Sequence, residues 1–381
     1  MVCDYHGSNV CHHRGDLKMD ALLEISKTVI MLIIGIVGLA IFGIVFGLIF
    51  KGIDRKLAAH MQGRIGPPLR QPFRDIVKLF TKENIVPENA IPWAFNLAPI
   101  AGLIGAISIL LYLPIIPGGE AGLVPLLPAS GDLILVLYLL IIPSLAMVIG
   151  GFSSGSPYAT VGAQREMTTM MAYEFPLAII IISIVWRLSN NLVPVENAFT
   201  FTAISTASIF SIVGPLGFIG AILLLFVLII VTPAELSKIP FDSPEAETEI
   251  GGGLLVEYSG RNLAMFYLTD GVKTIVMATI IIALFFPFNL SPVLGLENIA
   301  AFVVDIAFLL AKILLVVLFS VTLIRVGIAR LKIDQIVYTY WVPLTLIALV
   351  GLICIMWDVW SLSPPVNGGL GWQTVFQMLG L

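Results

Sequence analysis

Ala234-Glu235-Leu236-Ser237-Lys238-Ile239-Pro240-Phe241-Asp242-Ser243-Pro244-Glu245-Ala246-Glu247-Thr248-Glu249 places five acids between two long apolar runs. Charge at the edge of a membrane bundle, or inside one, is costly unless paired or hydrated, so it is usually functional. An isolated acidic run is more often a solvated loop; the apolar flanks here favour a functional one. Ser243 is a good N-cap and Pro244 suits the first helical position, which places Glu245 and Glu247 near the positive end of a helix. On that helix Asp242, Glu245 and Glu249 share a face, at i, i+3 and i+7. Carboxylates so close cannot all ionise independently. Some of their pKa values should rise, as a proton-handling site requires.

Composition places this stretch in a membrane. The chain has 381 residues, a mean hydropathy of +1.02, and is 58% hydrophobic and 12% charged. A soluble domain carries about 25% charge. The expected fold is an all-α integral membrane protein. The net charge of -4 says little about partners. With no basic patch interleaved with aromatics, nucleic acid is excluded as a partner. Cys3, Cys11 and Cys354 form no C-x-x-C and suit no usual iron–sulfur spacing. No phosphate-binding, dinucleotide-binding or zinc-protease motif is present. Redox chemistry is therefore expected in a partner subunit or a diffusible ligand, with no catalytic residue and no metal site in this chain.

Residues 1–24 read as a polar leader ahead of a membrane domain at 25–358 and a tail at 359–381. The leader holds Cys3, His6, Cys11, His12 and His13, a conceivable metal cluster but more simply a disordered segment, with Met19 as an alternative start. No apolar stretch with a cleavage site follows Arg14 and Lys18, so it is not a signal peptide.

Roughly 20 apolar residues span a bilayer as a helix. Eight such segments are predicted, at 28–50, 96–116, 132–151, 170–188, 211–232, 270–288, 299–323 and 338–358. No internal repeat is visible, which counts against a stand-alone transporter built from inverted halves. Fifteen of the 20 Lys and Arg residues fall in loops 51–95, 152–169, 233–269 and 324–337 or at Lys273. The positive-inside rule puts these loops in the cytoplasm and both termini outside.

The first of these loops contains Gln62-Gly63-Arg64-Ile65-Gly66-Pro67-Pro68, a rigid turn because proline fixes φ and restricts its predecessor. From Pro72 the chain is amphipathic. Phe73, Ile76, Val77, Leu79 and Phe80 alternate with Arg74, Asp75, Lys78 and Lys82, the pattern of a short interfacial helix. A basic loop that only sets topology would not need Gly-Pro-Pro.

These residues, with Tyr173-Glu174-Phe175-Pro176, Ile239-Pro240-Phe241-Asp242 and Glu257-Tyr258-Ser259-Gly260, resemble the NuoH-type membrane subunits of respiratory complex I (NADH dehydrogenase subunit 1). The resemblance runs in order from about residue 25 to 358. It implies eight membrane helices, an amphipathic helix after the first, and a peripheral arm standing on the loops. The short segment after Arg64 and Ser237-Lys238-Ile239 depart from the quinone-reducing branch and look like membrane-bound hydrogenases and archaeal membrane-bound sulfane reductases. The function so implied is that of a non-catalytic anchor in a ferredoxin-oxidising complex of the cytoplasmic membrane, coupling electron transfer to proton or sodium movement. The implied partners are iron–sulfur and large catalytic-type subunits of the arm, antiporter-like membrane subunits and the bilayer. Iron–sulfur clusters, with nickel–iron in a hydrogenase, would sit in those partners. A quinone- or methanophenazine-binding subunit is the alternative within the family.

On this reading the arm docks on Arg64, Gly66, Pro67, Pro68, Arg74, Asp75, Lys78, Lys238 and Arg261. The coupling residues are Glu174, Glu235, Asp242, Glu245, Glu247, Glu249, Glu257, Asp270, Asp305 and Lys312. Asp305 and Lys312 are seven residues apart on one face, about 10 Å along the axis, which suits a water-bridged pair. Glu166, two residues into polar sequence, is a weaker member.

Overall fold

The computed structural model describes residues 7–117, 123–127, 133–191, 198–206, 208–296 and 298–362. Among them are eight helices long and apolar enough to cross a membrane, and almost no strand. In chain order the helices are α1 (Gly7–Met61), α2 (Gln71–Thr81), α3 (Pro92–Tyr112), α4 (Leu133–Ser153), α5 (Pro157–Asn191), α6 (Phe201–Thr206), α7 (Ile209–Ile212) and α8 (Pro215–Glu235). There follow α9 (Glu247–Ile250), α10 (Gly260–Phe285), α11 (Ser291–Leu294), α12 (Asn298–Val317), α13 (Leu323–Gly327), α14 (Ile333–Thr339) and α15 (Thr345–Leu362). The spans are the Val29–Met61 part of α1, then α3, α4, α5, α8, α10, α12 with α13, and α14 with α15. All eight coincide with predicted segments. A two-stranded antiparallel hairpin, Ile116–Pro117 with Leu123–Val124, joins α3 and α4 on the far side.

The backbone of α1 is helical from Gly7, so the leader read as disordered continues the first helix. Residues 1–6, the leader's side chains and 363–381 lie outside the described residues, and the cysteine–histidine cluster with them.

α10 is buried along nearly its whole length and forms the axis of the bundle. α1 crosses it at Gly47 and Gly271, where a Cβ on Gly47 would collide with the Gly271 carbonyl. Small residues permit such close backbone approach in lipid. The crossing sets the register of the charges beside it, Lys51 one turn along α1 and Asp270 next to Gly271. π turns at Leu318–Thr322 and Tyr340–Leu344 interrupt the seventh and eighth spans. The first aims Thr322 at Asp54, with a 2.7 Å hydrogen bond from the hydroxyl to Oδ1.

α2 forms as the pattern requires. Pro72 and Ile76 are buried against the bundle, whereas Val77 and Phe80 are 63% and 51% exposed.

Candidate functional site

The acidic stretch does not form the continuous helix expected from Ser243. It breaks into a 3₁₀ turn, Ser243–Glu245, capped by Asp242, and the single turn of α9. Ala246 between them is extended (φ -62°, ψ 98°), and Gly251, Gly252 and Gly253, all at positive φ, end α9. Gly253 is obligatory, because a Cβ there would overlap the Pro244 carbonyl. Asp242, Glu245 and Glu249 therefore do not share a helical face; each turns to different basic partners.

Asp242 accepts a two-pronged bond from Arg330, with Nε to Oδ1 at 2.7 Å and Nη2 on Oδ2, while Arg330 Nη1 donates to Thr248 Oγ1 at 2.8 Å. The hydrogen bonds to Asp242 hold the Arg330 guanidinium above its ordinary pKa. Glu249 pairs with Arg165 of α5 at 2.7 Å. Glu245 faces inward. Burial pushes its carboxyl up; Lys238 opposes the rise and Asp270 adds to it.

These residues line a cavity of about 360 Å³ at the boundary between loop and bundle. Six acids (Asp54, Glu235, Asp242, Glu245, Glu247, Asp270) face six bases (Lys51, Arg55, Lys238, Lys273, Arg325, Arg330) across it. Asp270 is held by Lys51 at 2.6 Å and by Lys238 at 2.7 Å. Burial alone would lower the Lys238 ammonium, but Asp270 and then Glu245 outweigh it and the pKa is raised. Asp54 pairs with Arg325 at 3.0 Å. At the inner end, the Lys273 ammonium lies 3.0 Å from Glu235 Oε1 and donates to the Glu235 carbonyl (2.7 Å) and to Ser144 Oγ (2.9 Å).

Beyond this pair α5 carries the polar track deeper. Glu166 is 1% exposed and within the fields of Lys273, Glu245 and Glu235; Glu174 is within that of Glu235. Tyr173, fully enclosed, is coupled to Glu235 and Glu166 and packs edge-on to Tyr340. Oε1 of both Glu166 and Glu174 is buried without a hydrogen bond among the described residues. A carboxyl so placed must bind a proton or a water molecule, and either makes it a station for proton movement.

The other expected coupling residues are placed differently. Glu247 lines the cavity mouth and is exposed; Glu257 is half-buried and makes no ion pair among the described residues. Asp305 and Lys312 are not a water-bridged pair and do not join this cavity. Asp305 accepts from Leu290 N–H (3.2 Å), Ser291 N–H (2.9 Å) and Ser291 Oγ (2.6 Å). Lys312 donates to the carbonyls of Phe286 (3.1 Å) and Phe288 (2.9 Å). Both satisfy the irregular backbone after α10, at its end remote from the cavity, where no sequence spacing would reveal a backbone partner.

Of the expected docking residues, Arg64, Pro68, Arg74, Lys78 and Arg261 are exposed, and Gly66 and Pro67 half-exposed. Ile65 at the tip of the turn is 99% exposed. Asp75 turns inward to Arg55 (3.2 Å) and Gln71 (2.8 Å), and Lys238 belongs to the cavity. The Glu257-Tyr258-Ser259-Gly260 motif is a clasp. Tyr258 stacks on Phe95 at 4.1 Å, Ser259 Oγ accepts from Ile85 N–H at 3.1 Å, and Gly260, at φ 55°, abuts the Glu83 carbonyl.

Sequence reasoning missed Lys51, Asp54, Lys273, Arg325 and Arg330 as members of the site and undervalued Glu166. Lys273 carried a signal, an ammonium three residues from Asp270 inside an apolar span.

A family model described as NADH dehydrogenase matches residues 34–356. A membrane subunit of the NADH-quinone oxidoreductase of Geobacter sulfurreducens is 33% identical, over 78% of this chain and 86% of that one. Its counterpart in Syntrophotalea carbinolica is 31% identical, over 81% and 90%. NADH-ubiquinone oxidoreductase chain 1 of Strongylocentrotus purpuratus is 29% identical, over 80% and 89%. A chain from the solved structure of the membrane-bound sulfane sulfur reductase, an archaeal respiratory membrane complex, superposes with a TM-score of 0.72 at 30% identity. That match covers 85% of this chain and 99% of the other.

Proposed function

This chain belongs to the NADH dehydrogenase family of complex I-like membrane subunits, and from that premise we propose that it is the anchor and coupling subunit of a ferredoxin-oxidising respiratory complex, either a sulfane reductase or a hydrogenase. It is a multi-pass membrane subunit of a complex I-like complex. The arm stands on the Gln62–Arg70 turn and α2, on the cytoplasmic face of the cytoplasmic membrane. Iron–sulfur clusters in the arm carry the electrons, and antiporter-like neighbours move protons or sodium.

The carrying observation is the cavity of six acids and six bases, continued inward by Glu235, Glu166 and Glu174. A chamber whose charges are paired at 2.6–3.0 Å changes its preferred proton positions when one pair is disturbed. A redox-linked shift of the docked arm against the Asp242–Arg330 loop would thus move protons inward. The lining also argues against a quinone site. A neutral ring gains little from twelve charged neighbours, and Lys238, the residue of the departing Ser237-Lys238-Ile239 segment, is committed to Asp270.

The names of the curated relatives favour a second reading, in which the cavity takes a quinone. Extraction of quinone from the purified complex separates the two. Ferredoxin-dependent activity survives extraction on the first reading. Stoichiometric quinone retained in the cavity, with activity lost on its removal, establishes the second.

A further inference from the structure

We propose that the cleft between α1, α2 and α10 is a binding site for one anionic phospholipid of the leaflet in which α2 lies. The cleft has a volume of about 250 Å³ and opens beside the main cavity, with which it shares Lys51, Arg55 and Tyr267. Four cations line it (Lys51, Arg55, Lys78 and Lys82) against a single acid, Asp75. Lys51 is committed to Asp270 and Arg55 to Asp75. Lys78 and Lys82 make no ion pair among the described residues, so two positive charges are left over. They stand one helical turn apart on α2.

The rest of the lining is apolar and comes from all three helices: Leu48, Pro72, Ile76, Leu79 and Leu263. Leu48 lies seven residues, about 10 Å, further into the membrane than Arg55 on α1. Cations therefore stand at the mouth and aliphatic side chains at depth, the polarity of a lipid with an anionic head. The outward face of α2 exposes Val77 and Phe80, so the helix lies in the interface where such heads reside. Basic pockets between membrane helices hold anionic headgroups by this arrangement. A lipid here closes the sideways opening of the charged cavity toward the bilayer. This inference rests on the membrane fold alone and stands whichever electron acceptor the complex uses.

The test uses the intact purified complex, stripped of loosely held lipid, with native mass spectrometry counting phosphatidylglycerol or phosphatidylcholine retained on titration. The wild-type complex is expected to retain phosphatidylglycerol in preference to phosphatidylcholine, and less of it as salt rises. Lys78→Gln with Lys82→Gln is expected to retain one molecule fewer, or to bind that molecule roughly tenfold more weakly. Lys78→Arg with Lys82→Arg should restore it, and Lys56→Gln with Lys332→Gln, which removes two charges outside the cleft, should leave it unchanged. Equal retention of the two lipids by the wild-type complex overturns the proposal even if the Gln variant does not assemble. So do unchanged retention in that variant, displacement of the lipid by inorganic phosphate, and a quinone found in its place.

Discussion

The Lys273 ammonium stands 3.0 Å from Glu235 Oε1, with both side chains 3% exposed and no other ion pair made by either among the described residues. This pair joins α10 to the end of α8 at the point where the charged cavity narrows into the bundle. Its position explains why an acidic loop and a set of intramembrane carboxyls behave as one network.

Removing one partner of such a pair strands a buried charge, at a cost of about 3–5 kcal/mol. Lys273→Met alone should therefore lower the thermal stability of the assembled complex more than Lys273→Met with Glu235→Leu does. Scanning calorimetry of both variants makes the comparison.

Glu245 gives the site a pH signature. Its folded-state pKa is raised, chiefly by burial. A carboxyl raised on folding favours the folded state fully below the unfolded value near 4.5, and that contribution is lost as pH rises through the folded value. Glu245→Gln should match the wild type in the acid range and exceed it in thermal stability as pH increases above that window. Equal pH curves for the two proteins would contradict the placement of Glu245.

Asp305 is expected to act through structure alone. Asp305→Ala leaves the N–H groups of Leu290 and Ser291 without their acceptor, costing roughly 1–3 kcal/mol. Yield on a native gel should fall, while ion transport per assembled complex stays near wild type. Loss of transport at full assembly would return Asp305 to the coupling pathway.

The exposed arginines at the tip of the first loop bear on docking. Arg64→Glu with Arg74→Glu should release the peripheral arm while the membrane part still folds, which size-exclusion chromatography resolves. An intact, active complex carrying both changes would contradict the docking surface.

The spans and α2 were legible because an apolar run of bilayer length, or an apolar face at helical spacing, is a local property of the chain. The acids of the 234–249 stretch were legible for a related reason: charge beside apolar spans is out of place unless it is used. Their partners were not. Arg330 reaches Asp242 and Arg325 reaches Asp54 across distant parts of the chain, and helix crossings rather than sequence spacing bring them together. The broken helix at Ala246 was hidden because Ser243 and Pro244 are good helix starters, and the overriding contact, Gly253 on the Pro244 carbonyl, is tertiary. Lys273 looked like a charge that sets topology because its span otherwise reads as apolar. Asp305 and Lys312 were found, but backbone partners leave no mark in a side-chain pattern.

Glu166 offers the most direct test of proton passage through this subunit. It is buried, one of its oxygens makes no hydrogen bond among the described residues, and it lies between the cavity and Glu174. Glu166→Gln keeps its shape and removes its proton site. The measurement is ion uptake per electron transferred in sealed vesicles, alongside assembly on a native gel. The expected result is an intact complex whose ion uptake falls about tenfold or more, with electron transfer reduced to the extent that the two are coupled. Wild-type uptake from the fully assembled Glu166→Gln complex, repeated with Glu174→Gln, would contradict a proton route through these carboxyls and leave the subunit a passive anchor.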